Sequence, residues 1–159
     1  MYKTAVKALV RLSIRKLNAG DPTVLLKMAA PDVELAFPGE NSWANHFRPV
    51  EKSRQRHVTH RGIDECRHFA DRFVEHRIQF AIEDIMVAGP PWNTRIALRV
   101  HDFVDGGSGS DTYNNRSVAI LELRWGKLIR WEDYEDTQRV ASWDQARASS
   151  SVLTTSPGT

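Results

Sequence analysis

Residues 113–123 and 127–136 are two runs of strand-forming residues joined by Trp125-Gly126, and they read as an antiparallel hairpin. The second arm, Leu128-Ile129-Arg130-Trp131-Glu132-Asp133-Tyr134, puts an acid between two aromatic residues where an apolar strand would continue. Side chains alternate faces along a strand, so Ile129, Trp131 and Asp133 point one way and Arg130, Glu132 and Tyr134 the other. The face with Ile129 and Trp131 is read as the inner one. A carboxylate there is costly unless it is paired or used. Asp133 is therefore the residue to explain.

A chain of 159 residues, 41% of them apolar, supports one domain with a sizeable core. With 22 Lys and Arg against 20 Asp and Glu, it carries no nucleic-acid footprint and no signature of disorder. Lys3, Lys7, Arg11, Arg15 and Lys16 recur at helical spacing, which is read as a solvated helix face before a phosphate-binding one. The sole cysteine, Cys66, excludes an intrachain disulfide and suits a reducing cytosol. Beside Ile63, Phe69, Ala70 and Phe73 it reads as a small core hydrophobe. No apolar run approaches the roughly 20 residues of a membrane span, and no signal-peptide layout opens the chain. The expectation is a cytoplasmic protein with neither membrane nor nucleic acid as partner.

Val6, Leu9, Val10, Ile14 and Leu17 predict a first helix over 4–18, ended by Gly20. Asp21-Pro22 opens a short second helix burying Val24, Leu25 and Met28. Residues 33–37 read as a short strand ending at Pro38-Gly39. Residues 40–61 form a long polar connection holding Trp43, His46, Phe47, His57 and His60. Such a connection is either a lid over a pocket or a mobile surface loop. Its histidines match no familiar ligand spacing, so no metal is expected.

A third helix over 62–76 buries Ile63, Cys66, Phe69, Ala70 and Phe73. Strands follow at 78–87, 94–104, 113–123 and 128–134, with a turn-rich link at 105–111. Residues 138–143 read as a helical turn. The domain is placed at 1–143 and a disordered tail at 144–159. Helices first and strands after mean an α+β fold, a curved antiparallel sheet wrapped around N-terminal helices.

On the 94–104 strand, Arg99, His101 and Phe103 share a face. If that face looks inward, Arg99 holds Asp133 ionised and His101 titrates near neutrality as a proton shuttle. The alternative is a buried Arg-Asp pair that fixes the sheet, with His101 inert. Tyr113, Asn115 and Ser117 alternate on the next strand and line the pocket if they face in. Trp131 is either pocket wall or core.

Several phrases carry a family resemblance: Asn18-Ala-Gly-Asp21, Pro31-Asp-Val-Glu-Leu-Ala-Phe-Pro-Gly39, His60-Arg-Gly-Ile-Asp64 and Gly126-Lys-Leu-Ile-Arg-Trp-Glu-Asp-Tyr-Glu-Asp136. In this order and spacing the chain resembles the SnoaL-like branch of the nuclear-transport-factor-two-like superfamily over residues 4–143. The resemblance implies a cone of curved sheet with a deep pocket, usually in a homodimer. It implies cofactor-free chemistry on a small, partly apolar organic ligand, of the cyclase or isomerase kind.

Limonene epoxide hydrolases in the superfamily use an Asp-Arg-Asp set. Arg99 and Asp133 match two of its members, but His101 stands where the other aspartate belongs, with Asp102 expected on the opposite side. Ketosteroid isomerases place an aspartate before a proline, where this chain has Phe37-Pro38. Only the polyketide-cyclase template keeps its main acid, at Asp133. The expected catalytic set is Asp133, His101 and Arg99. The expected ligand-binding set is Tyr113, Asn115, Ser117, Trp131, Phe103, Phe37 and Trp43. Epoxide-hydrolase or hydratase chemistry is the second expectation, and a non-catalytic ligand-binding or assembly domain is the rival from another class.

Overall fold

The computed structural model describes residues 1–39, 57–104 and 113–153. The elements run α1 (Tyr2–Asn18), α2 (Thr23–Met28), β1 (Ala29–Pro38), β2 (His57–Arg61), α3 (Ile63–Glu75), β3 (Ile78–Ala88), β4 (Thr94–Val104), β5 (Asn114–Arg124), β6 (Lys127–Glu135) and α4 (Thr137–Leu153). The six strands make one curved sheet in the order β2-β1-β6-β5-β4-β3. All neighbours are antiparallel except β1 and β6, which run parallel. This is the α+β architecture that the order of elements implied.

The helices form where apolar residues recur every three or four positions. In α1, Val6, Val10, Ile14 and Leu17 are buried, and in α3, Cys66, Phe69, Ala70 and Phe73. Asp21 Oδ1 accepts the Thr23 backbone N–H at 3.0 Å and starts α2, as its residue type promised. The α3 stripe packs on the sheet through aromatic contacts. Phe69 lies 5.2 Å from Phe37 and 5.8 Å from Trp131, and Phe73 lies 4.7 Å from Phe80. Burial of each such ring stabilises the fold by about 1.5–3 kcal/mol.

Trp125 and Gly126 both take positive φ, 51° and 79°, which makes the tight two-residue turn of the β5-β6 hairpin. Just beyond it the register slips between Glu122 and Leu123, so Leu128 and Trp131, three residues apart, are both buried. Ile129 therefore does not share the fully buried face with Trp131, contrary to simple alternation. Trp131 and Asp133 lie beyond the slip and do share it.

The structure departs from the sequence reading in three further places. The strand read at 33–37 begins earlier, at Ala29, and pairs with β6 through an irregularity before Glu34. The last residues of the long polar connection are an edge strand, with Leu35 facing His60 and Phe37 facing Val58. The turn read at 138–143 is a 17-residue helix, Thr137–Leu153, reaching into the stretch assigned to a tail. Trp43, His46 and Phe47 lie outside the described residues, as do the link at 105–111 and residues 154–159.

Candidate functional site

The face of the sheet against the helices changes from apolar to acidic over four successive ranks. Ile96, Leu121 and Trp131 are aligned across β4, β5 and β6; the next rank is Leu98, Ala119 and Asp133. Then come Val100, Ser117 and Glu135, and last Asp102 beside Asn115. Opposed residues in such ladders bring their side chains within about 5 Å of one another. Asp102, Tyr113, Asn115, Ser117 and Asp133 are each at most 4% exposed. The arrangement gathers three carboxyl groups, a phenol, an amide and a hydroxyl at one end of the core.

Hydrogen bonds tie this end together. Tyr113 Oη donates to Asp102 Oδ2 at 3.0 Å and lies 3.4 Å from Glu135 Oε2. Asn115 Nδ2 donates to the same phenol oxygen at 3.0 Å and to the Asp136 carbonyl at 3.1 Å. The Tyr134 backbone N–H donates to Asp133 Oδ1 at 3.2 Å. Among the described residues, four buried atoms of this face make no hydrogen bond: Asp102 Oδ1, Glu135 Oε1, Ser117 Oγ and Trp131 Nε1. Buried polar atoms rarely go unpartnered, because each costs about 1–3 kcal/mol.

Helix α4 closes over the cluster. Val140 and Trp143 are buried, and the Trp143 ring lies 5.0 Å from that of Tyr113. Arg147 stacks over the Trp143 ring at 4.6 Å and donates to His76 Nδ1 at 3.0 Å, joining α4 to the end of α3.

Burial, then the charge of Asp102, pushes the Asp133 carboxyl up to about 7, against the pull of the Tyr134 N–H. Burial, then the charges of Asp133 and Asp102, raises Glu135 well above its ordinary value. Asp102 is also raised by burial, although the Tyr113 hydroxyl works against it. Burial and the two acids beside it hold Tyr113 neutral, as a donor. Burial and the neighbouring negative charges thus make Asp133 and Glu135 hold their protons above the ordinary carboxylate range.

The expected convergence of Arg99 and His101 on Asp133 does not occur. The buried face of β4 is the one with Ile96, Leu98 and Val100, which puts Asp102 inside and Arg99, His101 and Phe103 on the other side. Arg99 pairs at 3.1 Å with Glu83, its side chain 60% exposed. His101 Nε2 lies 2.9 Å from Asn114 Oδ1, at an outer cleft of about 320 Å³ that Glu83 and Arg116 also line. Phe103 stacks on His101 at 5.1 Å. The alternation of Ile96, Leu98 and Val100 was the signal for the true inner face.

Tyr113, Asn115, Ser117, Trp131 and Phe37 all lie on the inner side, and Phe37 packs on Phe69. Glu135 escaped the sequence reading, although it lies two residues beyond Asp133 and so shares its face. Among the described residues, no group of three or more His, Cys, Asp or Glu is placed to hold a metal ion. No helix among them is long and apolar enough to cross a membrane.

A family model described as the SnoaL-like domain matches residues 10–131. Among solved structures, a putative SnoaL-like polyketide cyclase from Jannaschia sp. CCS1 is 17% identical, with a TM-score of 0.60, covering 90% of this chain and 93% of that one. TerC, co-crystallised with polyporic acid, is also 17% identical, with a TM-score of 0.64 and coverage of 88% and 98%. A putative isomerase from Rhodopseudomonas palustris is 13% identical, with a TM-score of 0.60 and coverage of 87% and 93%. At such identities these likenesses concern the fold. No curated protein matches the sequence.

Proposed function

The chain belongs to the SnoaL-like domain family, and from that premise we propose that it binds a small, partly apolar organic molecule and acts on it without a cofactor. Asp133 serves as general acid or base in a cyclisation or isomerisation. One observation carries the reading: buried Asp102 and Asp133 and half-buried Glu135 share the inner face with polar atoms that have no partner among the described residues. A group that titrates near neutrality can both take and give a proton in one turnover, and a well-placed one contributes roughly 10²- to 10⁴-fold. Phe37, Phe69, Phe80 and Trp131 supply the apolar wall.

Because Asp133 is 2% exposed, a ligand must displace side chains that close the inner face, and Trp143 on α4 is one of them. The co-crystallisation of TerC with polyporic acid supports the ligand class. The two other neighbours, a putative polyketide cyclase and a putative isomerase, support the reaction class.

An epoxide-hydrolase or hydratase version has Asp102 and Asp133 on one face, but it lacks its arginine, since Arg99 faces outward. A non-catalytic ligand-binding or assembly role is favoured by one specific observation. Arg99, the cation expected beside Asp133, pairs instead with Glu83 on the other side of the sheet. We place the protein in the cytoplasm as a homodimer that pairs through the outer face of the sheet, where Val118 and Tyr134 are opposed and 38% and 50% exposed.

The test is exchange of a carbon-bound proton for deuterium in aromatic hydroxyketones, followed by proton NMR. Wild-type protein should accelerate exchange, and Asp133→Asn should lose about a hundredfold or more. Equal exchange by the two proteins would favour the binder.

A further inference from the structure

We infer that the end of the molecule carrying the β3-β4 and β5-β6 hairpin turns docks on an anionic phospholipid surface. This goes beyond the proposed function and draws on none of its residues. Trp92 and Trp125, one on each turn, are 57% and 70% exposed, and their rings lie 5.8 Å apart. Exposed indoles side by side are costly in water and characteristic of the headgroup level of a bilayer.

The two turns are braced to present them. The Trp125 N–H donates to the Pro91 carbonyl at 2.7 Å, and Asn93 N and Thr94 Oγ1 both donate to the Pro90 carbonyl. Gly89 has φ of +81°, and a β-carbon there would meet Asn93 O at 2.1 Å, so the first turn needs glycine at that position. The indoles thus sit on a defined platform.

The charge around them is predominantly basic. Arg124 and Lys127 flank Trp125 and are exposed, as is Arg95 near Trp92. Tyr2 Oη meets Thr94 Oγ1 at 2.5 Å and sets the first turn of α1, with exposed Lys3, against the same end. Lys127 Nζ donates to the Lys27 carbonyl at 2.8 Å, which adds Lys27. The sequence has no Asp or Glu in 1–20, 22–31, 85–101 or 123–131. The acid facing this group is Glu122, 3.8 Å from Arg95. Basic side chains around interfacial aromatics complement anionic headgroups, and their attraction is screened by salt.

Single-stranded nucleic acid is the other polyanion that tryptophans bind, by stacking bases on their faces. Here the indoles lie against each other at 44°, so a base would have to part them.

Co-sedimentation with sucrose-loaded vesicles tests the inference. The full chain should pellet with vesicles of one part phosphatidylglycerol to three of phosphatidylcholine and stay in solution with phosphatidylcholine alone. Binding should fall by about tenfold or more in a Trp92→Ala/Trp125→Ala variant, in an Arg124→Glu/Lys127→Glu variant, and for the parent in half-molar salt. All the substituted side chains are exposed, and circular dichroism would verify that both variants fold. The inference is overturned if the parent ignores phosphatidylglycerol vesicles or if the variants pellet as it does. It is overturned equally if a single-stranded oligonucleotide binds this end and displaces the vesicles.

Discussion

Tyr113, just before β5, donates a hydrogen bond from its hydroxyl to Asp102 Oδ2 on β4 at 3.0 Å. A phenol has one proton to give, and Asn115 already donates to its oxygen. Glu135, 3.4 Å from that oxygen, fits as the acid that keeps its own proton, in line with the direction of its shift. The three carboxyl groups thereby differ. Asp102 accepts, Glu135 stays protonated, and Asp133 is left to titrate near neutral pH.

Tyr113→Phe removes the shared hydroxyl and leaves Asp102 Oδ2 without that donor in a buried site. The expected cost is about 1–3 kcal/mol in urea unfolding at pH 7. Tyr113 holds the Asp102 carboxyl down, so its loss lets that group rise further. The variant should therefore lose stability more steeply than the parent as pH rises. An unchanged pH profile would contradict the bridge.

Asp133→Asn should change stability in a pH-dependent way. Folding raises this carboxyl from 3.8 to about 7, so the native state holds more protons than the unfolded chain between those values. Its contribution is fully present below about pH 4 and is lost as pH climbs through 7. The asparagine variant should match the parent at pH 4 and be more stable at pH 8, by up to about 4 kcal/mol. Parallel melting curves at the two pH values would refute this.

His76 works in the opposite direction. Burial, and then the charge of Arg147, lowers its imidazole to about 4. The unfolded chain therefore takes up the proton first, and stability present above about pH 6.5 is lost as pH falls towards 4. His76→Gln should flatten the acid side of the melting profile between pH 6.5 and 4.5. If both proteins lose stability equally over that range, the His76–Arg147 contact is not what weakens.

Arg99→Ala and His101→Ala should be nearly silent. Arg99 is 60% exposed and paired with Glu83 at the surface, and such pairs contribute about 0–1 kcal/mol. Unfolding free energy and ligand affinity should both stay close to the parent's. A large loss of affinity in either variant would return these residues to the binding site.

Much of the fold was legible because its signals are local. Phe69, Ala70 and Phe73 lie on one stripe of α3, and Trp125-Gly126 is a pair suited to a tight turn. The β1-β6 parallel pair is not legible in that way, since it joins residues about a hundred positions apart with no marker in either strand. Strand β2 is polar and at the sheet edge, so His57–Arg61 shows no apolar alternation to read. Helix α4 buries only Val140 and Trp143 among its described side chains, too sparse a stripe to mark a long helix.

The inner acid at Asp133 was legible because it follows Trp131 on one face. The rest was misread where a resemblance favoured Arg99 over the plainer alternation of Ile96, Leu98 and Val100. That alternation carries Asp102 inward, beside Asn115 and within reach of Tyr113.

The most direct test is carboxyl carbon-13 NMR of the protein labelled at aspartate, with Asp133 assigned by loss of its resonance in Asp133→Asn. The account predicts a midpoint near 7, moving down in Asp102→Asn as the neighbouring negative charge is removed. A midpoint near the ordinary 3.8, indifferent to Asp102, would contradict it.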